Sequence, residues 1–572
     1  MIKNRILLCF MSLMGIYAYA QNYQWDGAVF GHVNSSSSTV YRMAVSKSNQ
    51  KAVVGQFKGS MQIGNHSLSS DKPLGLFLAK FAENDSLLWL KKILEVEQED
   101  PVIPEYELGT STNIEFDPFG NIYIGVSYNG TVLIENELFV ANDSVPSYNT
   151  VDFLKYSEEG SLLHHFRIEG SCVNALSYDR ISINNIGQVY LLIPFGNDDF
   201  GTTDSCTCIV NNDTLVTDSK EALLIKLSPN FETLWSKRLD LNSVLHIEQV
   251  GSSIYLCGNI HYGQNVHFDD YTIPYPSNYN QGAYVAKFDT SGVFKWARHF
   301  GVPNWASNIQ IRDLHVASPN SIVVMGSAYS QLVPNKIYFE NAATLHGNIN
   351  GSKDAFVVCY DSLGNVKWHE MSNNNGGEWY AKASSDASGT VFLGGTYTND
   401  IVFGIDTLET SGGYDVFLRA VDAQGQALWS KTIAGGGSEF LYDMGTDSQN
   451  NLFLLGESSS AGISFGANSY DLANDYRDFF IARLSPSFLA LPERERAAVQ
   501  VHPNPSSGRF TLRAESSIAT VELYSQTGNL LLQQSYTAQN LVLLNTNLSS
   551  GAYLLRVLLA NGQESVQKIM IN

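Results

Sequence analysis

The residues best equipped for chemistry stand in one short stretch, CGNIHYGQNVHFDD, which holds Cys257, His261, His267, Asp269 and Asp270. Imidazole, thiolate and carboxylate are the ordinary ligands of zinc and related ions, and a turn could bring His261 and His267 to one ion. Nothing in the spacing fixes ligand distances, however, and Cys257 falls where a sister segment has Gly394, a position expected to be buried. His261, His267 and Asp269 are the nearest approach to a metal site, and no metal site is assigned. A second group is Cys206 and Cys208 in FGTTDSCTCIV, with Cys172 upstream. A reactive thiolate needs a basic neighbour, and none is identifiable. A structural disulfide is the better reading, with the pairing among the three left open.

Other chemistry has no foothold. There is no nucleophile elbow, no His-Glu-x-x-His, no phosphate-binding glycine loop and no paired-cysteine zinc pattern. Gly435-Gly436-Gly437 lies between strands and reads as a flexible connection. Asp-x-x-Gly turns recur, but each offers one or two carboxylates where calcium takes about six to eight oxygens. No catalytic or cofactor-binding residue is assigned, and no cofactor is expected.

The elements that must position any site are repeated. AKFAENDSLLW ends at Trp89, IKLSPNFETLW at Trp235, AKFDTSGVFKW at Trp296, VCYDSLGNVKW at Trp368 and RAVDAQGQALW at Trp429. Each reads as an alternating, half-buried strand, a tight turn and a second strand bearing Trp. Between them lies another hairpin, as in FDPFGNIYIGVSY, SSDASGTVFLGGTY and GTDSQNNLFLLGES. Four strands per unit follow, labelled A to D in chain order. The A–B hairpin occurs seven times, around 45–57, 116–127, 183–193, 248–260, 316–327, 384–395 and 445–457. The last unit lacks its Trp strand, while a spare one, YQWDGAVFG around Trp25, stands at the start.

That arithmetic predicts an all-β seven-bladed β-propeller over 21–485, closed by the N-terminal strand. A linear solenoid would not match a missing strand at one end with a spare at the other, and closure removes exposed sheet edges. Trp25, Trp89, Trp235, Trp296, Trp368 and Trp429 are read as inter-blade packing rather than sugar-stacking platforms, with His164 in the Trp place of the second unit. The units resemble SBBP-type β-propeller repeats in their D-x-x-G-N-x-Y turns and Trp-ended hairpins. The Trp hairpin also resembles the docking motif of quinoprotein propellers, which keeps an enzyme among the alternatives.

A Pro-flanked, charged linker (486–499) precedes a second region, 500–572, whose alternating strands and Gly, Asn and Ser turns predict a small Ig-like β-sandwich. Pro503-Asn504-Pro505, Gly508, Thr527-Gly528, Gly551-Ala552-Tyr553 and the ending Lys568-Ile569-Met570-Ile571 follow in order. This stretch resembles the type A C-terminal sorting domain of type IX secretion substrates. The resemblance implies Pro503, Asn504, Pro505, Gly508, Gly528, Gly551, Tyr553 and Lys568 as the sorting signal, and the type IX secretion machinery as a partner.

At the other end, Lys3 and Arg5, the apolar run Ile6 to Tyr17 and Ala18-Tyr19-Ala20 read as a signal peptide, 1–20, cleaved before Gln21. No further stretch is long and apolar enough for a transmembrane segment. The net charge of −21 resides in the central body and makes nucleic acid a poor partner. The expected product is secreted or held at the cell surface, reached through the periplasm and outer membrane. It is read as a non-enzymatic binding or adhesion protein for an extracellular glycan or protein. The alternatives are a polysaccharide-acting enzyme and a structural surface protein.

Overall fold

The computed structural model describes residues 22–571 except 34–38, 98–112, 129, 136, 141–149, 171–172, 174–179, 197–205, 211–212, 218, 242, 262–263, 274–278, 304–306, 331–335, 341–344, 347–352, 373–376, 405, 473–477, 488–498, 526–529 and 562–563. The stretch read as a signal peptide, most of the linker, Cys172 and Gly528 lie outside the described residues. The chain divides into two compact units, Tyr23–Pro486 and one containing Ser487–Asn572. Among the described residues the regular elements are all strands, so the protein is all-β.

Within Tyr23–Pro486 the described residues form seven antiparallel sheets of four to six strands and two separate hairpins. The simplest sheet runs in chain order through Ile181–Ile183 (A), Val189–Phe195 (B), Glu221–Leu227 (C) and Thr233–Leu239 (D). Turn chemistry fixes the hairpins. Asp361 Oδ1 accepts the amides of Leu363 and Asn365 at 2.9 and 2.8 Å, and Asp447 does the same for Gln449 and Asn451 at 2.9 and 2.8 Å. These carboxylates are spent on their own turns, as Asp side chains in turns commonly are.

The half-burial expected of strand C gives way to complete burial. Gly75–Phe81, Thr150–Tyr156 and Asp415–Val421 are buried at every residue, because neighbouring sheets cover both faces. The lysines that made the sequence alternate reach out at the strand end instead. Lys80 Nζ donates to the Glu158 carbonyl at 3.0 Å, Lys155 to that of Pro229 at 2.9 Å and Lys287 to that of Ser362 at 3.2 Å, each in the C–D turn of the next sheet. Apolar clusters fill the seams. Val54 and Leu78 of one sheet, for example, pack with Ile124, Val126 and Leu154 of the next.

Each unit also holds two strands beyond the expected four. A short hairpin lies between B and C in all seven, from Ser60–Ile63 with His66–Ser69 to Gly462–Phe465 with Asn468–Asp471. Five of these hairpins join the outer strand of a different unit's sheet. Thr131–Ile134 pairs with Leu87–Val96, and Gly462–Phe465 with Ala427–Gly435. Backbone hydrogen bonds thus cross the unit boundaries.

The strand Asn22–Val33 is hydrogen-bonded beside Asp478–Ser487, in the sheet of Glu439–Thr446 and Leu452–Ser458. His32 Nδ1 lies 3.0 Å from the fully buried Asp478 carboxylate. The A strands touch in sequence. Thr39–Val45 meets Asn113–Phe116, then contacts pass through Ile181–Ile183, His246–Val250, Ser307–Ser318 and Glu378–Ser385 to Glu439–Thr446. That strand meets Thr39–Val45 again.

The C-terminal region is one curled five-stranded sheet, a half-barrel, rather than the expected sandwich of two sheets. Its two longest strands, Arg509–Tyr524 and Leu530–Asn545, run sixteen residues each through a register shift between Arg513 and Ile518. Such an irregularity bends a strand, so one pair of strands serves both ends. Gln500–His502 flanks the first half and Gly551–Leu559 the second. Phe510, Leu512, Val521, Leu523, Leu555 and Ile569 form the core.

Candidate functional site

The seven A strands enclose a cavity of about 360 Å³ to which every one of them contributes. An A strand is the inner edge of its sheet, and its free amides need partners. Side chains of the preceding A strand supply them. Asn113 Oδ1 accepts the Arg180 amide at 2.5 Å, Ser182 Oγ that of Gln249 at 2.9 Å and Glu248 Oε2 that of Val316 at 2.8 Å. Asp313 Oδ2 accepts the Ala383 amide at 2.8 Å and Asp443 Oδ2 that of Met43 at 2.9 Å. One tie runs the other way, from the following strand: Thr446 Oγ1 donates to the Ser385 carbonyl at 2.6 Å. These ties form a belt round the cavity wall. Sequence reasoning missed it, because the A strands begin earlier than the turn motifs place them. The one available signal was a polar residue set inside each apolar strand.

The same belt supplies the cavity's ionisable groups. Lys382 Nζ lies 3.4 Å from Asp313 and 3.8 Å from Asp443. His246, fully buried behind them, has Nδ1 3.6 Å from Asp313. Glu248 Oε2 is 3.7 Å from His315 Nδ1, and His315 Nε2 bonds Ser385 Oγ at 2.9 Å. Burial, with the negative charges of Asp313 and Glu115 adding to it, pushes the Glu248 carboxyl up to about 8 despite the Val316 amide. Burial also pushes the His315 imidazole down to about 4; Asp313 opposes that shift and Lys382 adds to it. Both shifts favour the uncharged form, a protonated carboxyl beside a neutral imidazole. Each can donate and accept hydrogen bonds in an enclosed polar space.

The residues singled out from sequence lie elsewhere. His267 Nδ1 bonds Thr272 Oγ1 at 2.9 Å, across the hairpin Val266–Phe268 with Tyr271–Ile273. Asp269, in its turn, binds the Lys237 ammonium at 2.8 Å. His261 is half-buried beyond the end of Ser253–Ile260. Among the described residues no group of three or more His, Cys, Asp or Glu could hold a metal. Cys206 is disulfide-bonded, while Cys208, Cys257 and Cys359 are free and buried. Burial raises the Cys208 thiol to about 12, which makes it inert.

The repeated tryptophans meet turns of neighbouring sheets. A Cβ on Gly160 would lie 3.3 Å from the Trp89 ring, one on Gly292 3.3 Å from Trp235 and one on Gly364 3.0 Å from Trp296. Trp89 Nε1 donates to the Glu158 carbonyl and Trp296 Nε1 to that of Ser362, both at 3.1 Å. Trp368 lies on Gly425, Trp429 is 5.7 Å from the Tyr23 ring and Trp25 is 5.2 Å from Phe465. His164 contacts Phe231 edge-on at 6.3 Å.

Of the described residues that the resemblance implies as a sorting signal, Asn504, Gly551 and Tyr553 meet the last strand of the C-terminal unit, Glu564–Ile571, to which Lys568 belongs. Asn504, between Pro503 and Pro505, bonds the Lys568 carbonyl and the Met570 amide. Gly551 pairs with Ile571 and Tyr553 with Ile569. Gly508 has φ +89° and faces the Thr546 carbonyl so closely that a Cβ would meet it at 2.5 Å.

No curated protein matches the chain. Among solved structures, the S. cerevisiae core factor is 9% identical over 68% of this chain and 59% of its own, with a TM-score of 0.25. A bifunctional GH43-CE protein of Bacteroides eggerthii is 10% identical over 85% of this chain and 66% of its own, at 0.23. The chain therefore spans under two thirds of the length of either, and likenesses at such TM-scores carry no inference. One family does match, over residues 500–572, and its description is secretion system C-terminal sorting domain. Residues 500–572 are thus a secretion system C-terminal sorting domain, the mark of an exported protein delivered by type IX secretion.

Proposed function

We propose that the chain is a surface-anchored or released β-propeller whose ring binds an extracellular glycan or protein without acting on it. In this reading residues 1–20 are a cleaved signal peptide, 21–485 are seven SBBP-like blades and 486–499 link them to the sorting domain. The pairing of Asn22–Val33 beside Asp478–Ser487 and the cyclic contacts among the A strands support closure. The six repeat tryptophans then lock neighbouring blades. Pro503, Asn504, Pro505, Gly508, Gly528, Gly551, Tyr553 and Lys568 serve as the signal read at the outer membrane. No catalytic, cofactor or metal role is proposed for His261, His267 or Asp269.

The observation that carries the binding reading is the central cavity, whose carboxylates are already tied to backbone amides and so form a fixed, polar, walled site. One observation favours the enzyme reading instead. Glu248 and His315 are displaced in opposite senses within a single cavity, as acid and base groups of active sites often are. A glycan array followed by chromatography of the bound sugars separates the two. Retention of intact ligand supports a binder, and shortened products overturn that reading in favour of an enzyme.

A further inference from the structure

Sheet edges in the larger unit are protected in two ways. Side chains of the neighbouring A strand tie the amides of an inner edge, and several outer edges end on strands of only four residues, such as His66–Ser69, Glu137–Val140 and Asn468–Asp471. The half-barrel is different. One outer strand, Glu564–Ile571, is held by Asn504 and by the parallel bridge from Ser506 to Ile571. The opposite one is Leu530–Asn545, sixteen residues long, which among the described residues pairs with Arg509–Tyr524 alone. Its sequence, LLLQQSYTAQNLVLLN, holds no charge and no proline, the two devices that commonly keep an edge from pairing. Toward its end the run Leu541–Leu544 is apolar throughout. Val542 and Leu544 are buried in the core, while Leu541 and Leu543 point the other way and are 58% and 69% exposed. Arg513 and Thr511 stand opposite them, so no apolar partner on Arg509–Tyr524 covers them. Leu530 and Leu531 are exposed at the start of the strand. An unbroken apolar run is the pattern of a strand covered on both faces, as Val189–Phe195 is. Here one face and one edge stand open.

We propose that a strand of the type IX secretion machinery docks along this edge, extending the half-barrel sheet and laying apolar side chains over Leu541 and Leu543. This deepens the sorting reading above and rests on it, and it is independent of what the larger unit binds. Position argues for the occupant. The strand lies wholly inside 500–572, the region that matches the sorting domain, and that domain implies the machinery as partner. Of the two outer strands, the one carrying Lys568 is already gripped from within its own domain, which leaves Leu530–Asn545 as the edge open to a second protein. Strand addition draws affinity from main-chain hydrogen bonds and selectivity from alternate side chains. This edge offers both, a long row of backbone groups and leucines two residues apart. A second copy of the chain would occupy the same edge, and it is one outcome of the test.

The test expresses the full chain in a bacterium with a type IX system and compares the exported and periplasmic fractions. Leu541→Lys with Leu543→Lys places two charges on the edge without touching the core. Export should fall about tenfold or more, because a buried ammonium without a partner costs at least that factor in affinity, while the melting profile stays that of the parent. Leu138→Lys with Leu138's neighbour on the same face, Val140→Lys, makes the matched control. Both residues are exposed on the short outer strand Glu137–Val140 of the larger unit, and this pair should export normally. Parental export from the Leu541 and Leu543 double variant, or an equal loss from the control, overturns the proposal. If the double variant melts early, the uncharged pair Leu541→Thr with Leu543→Thr decides: a loss with normal melting supports the proposal and parental export overturns it. Sedimentation of the purified parent completes the set. A dimer that the Leu541 and Leu543 lysine substitutions dissolve, with their export intact, gives the edge to a second copy and overturns the proposal. Deleting residues 486–572 tests the sorting reading separately, since export that persists without them removes that reading as well.

Discussion

Asn504 grips the last strand of the protein from the opposite end of its domain. Its Nδ2 donates to the Lys568 carbonyl at 2.9 Å and its Oδ1 accepts the Met570 amide at 2.8 Å. A parallel bridge from Ser506 to Ile571 extends the contact. Pro-Asn-Pro and the basic-apolar ending are therefore one structural feature. Asn504→Ala should remove both bonds, cost about 1–3 kcal/mol and lower the exported fraction. Comparing medium and cell fractions for a reporter fused to residues 486–572 measures it. Export equal to the parent would show that the grip is dispensable.

The Asp415 and Glu439 carboxyls share a buried hydrogen bond between strand C of the sixth unit and strand A of the seventh. Neither side chain is exposed. Burial pushes both titrations upward, against the Ser411 amide on Asp415 and the Ser458 and Ser460 hydroxyls on Glu439. A carboxyl whose folded titration lies above its unfolded one stabilises at low pH and loses that contribution as pH rises through the folded value. Melting temperature should therefore fall from acid toward alkaline pH. Glu439→Gln should flatten that slope, and a parent slope of opposite sign would refute the shared proton.

Glu248 and His315 predict a second titration, in the cavity. With the carboxyl raised to about 8, stability drawn from Glu248 is complete below its unfolded value near 4.3 and is lost as pH rises through about 8. Glu248→Gln keeps an oxygen for the Val316 amide and should remove this dependence. Imidazole resonances of His315 should hold their neutral positions down to about pH 5, since its titration lies at about 4. A midpoint near 6.5 would mean that water and counter-charge reach the ring freely.

Gly425 has φ +79°, and a Cβ there would lie 2.6 Å from the Trp368 ring. Backbone strain and the clash act together, so Gly425→Ala should destabilise by about 2–4 kcal/mol. Gly436 has no atom near its missing Cβ, and Gly436→Ala is the matched control. Equal chemical-denaturation midpoints for the two variants would remove Trp368 from the seam.

Removing residues 21–33 should cost more than any single substitution. It exposes the edge of Asp478–Ser487 and leaves Asp478 without His32. The expected outcome is a broadened melt with oligomers in light scattering, partly rescued by adding the strand back as a peptide. A monomeric, sharply melting truncation would show that the outer strand is ornamental.

What the sequence disclosed followed from local periodicity. The Asp turns, the Trp strands and the count of seven hairpins each occupy a dozen residues and could be read in place. The B–C hairpins could not, because strands such as His66–Ser69 are four residues long and mostly exposed, too short to show a period. The half-barrel was hidden for the opposite reason. Arg509–Tyr524 continues through its bend, and a reading that breaks strands at irregular stretches makes two sheets of one. The cavity was least legible of all, since Arg42, Glu115, Glu248, Asp313, Lys382 and Asp443 come from six separate strands. No window of sequence contains two of them from adjacent strands.

The hairpins that cross unit boundaries have a consequence for anyone wishing to add, delete or swap a repeat. A cut placed between strands D and A severs no sheet in sequence, yet it parts Leu87–Val96 from Thr131–Ile134, its partner in the following unit. A cut after the hairpin and before strand C is no remedy, since it parts strand B from strand C, as in Ile122–Tyr128 and Thr150–Tyr156. A graft must instead carry its own four strands together with the two that its successor lends it.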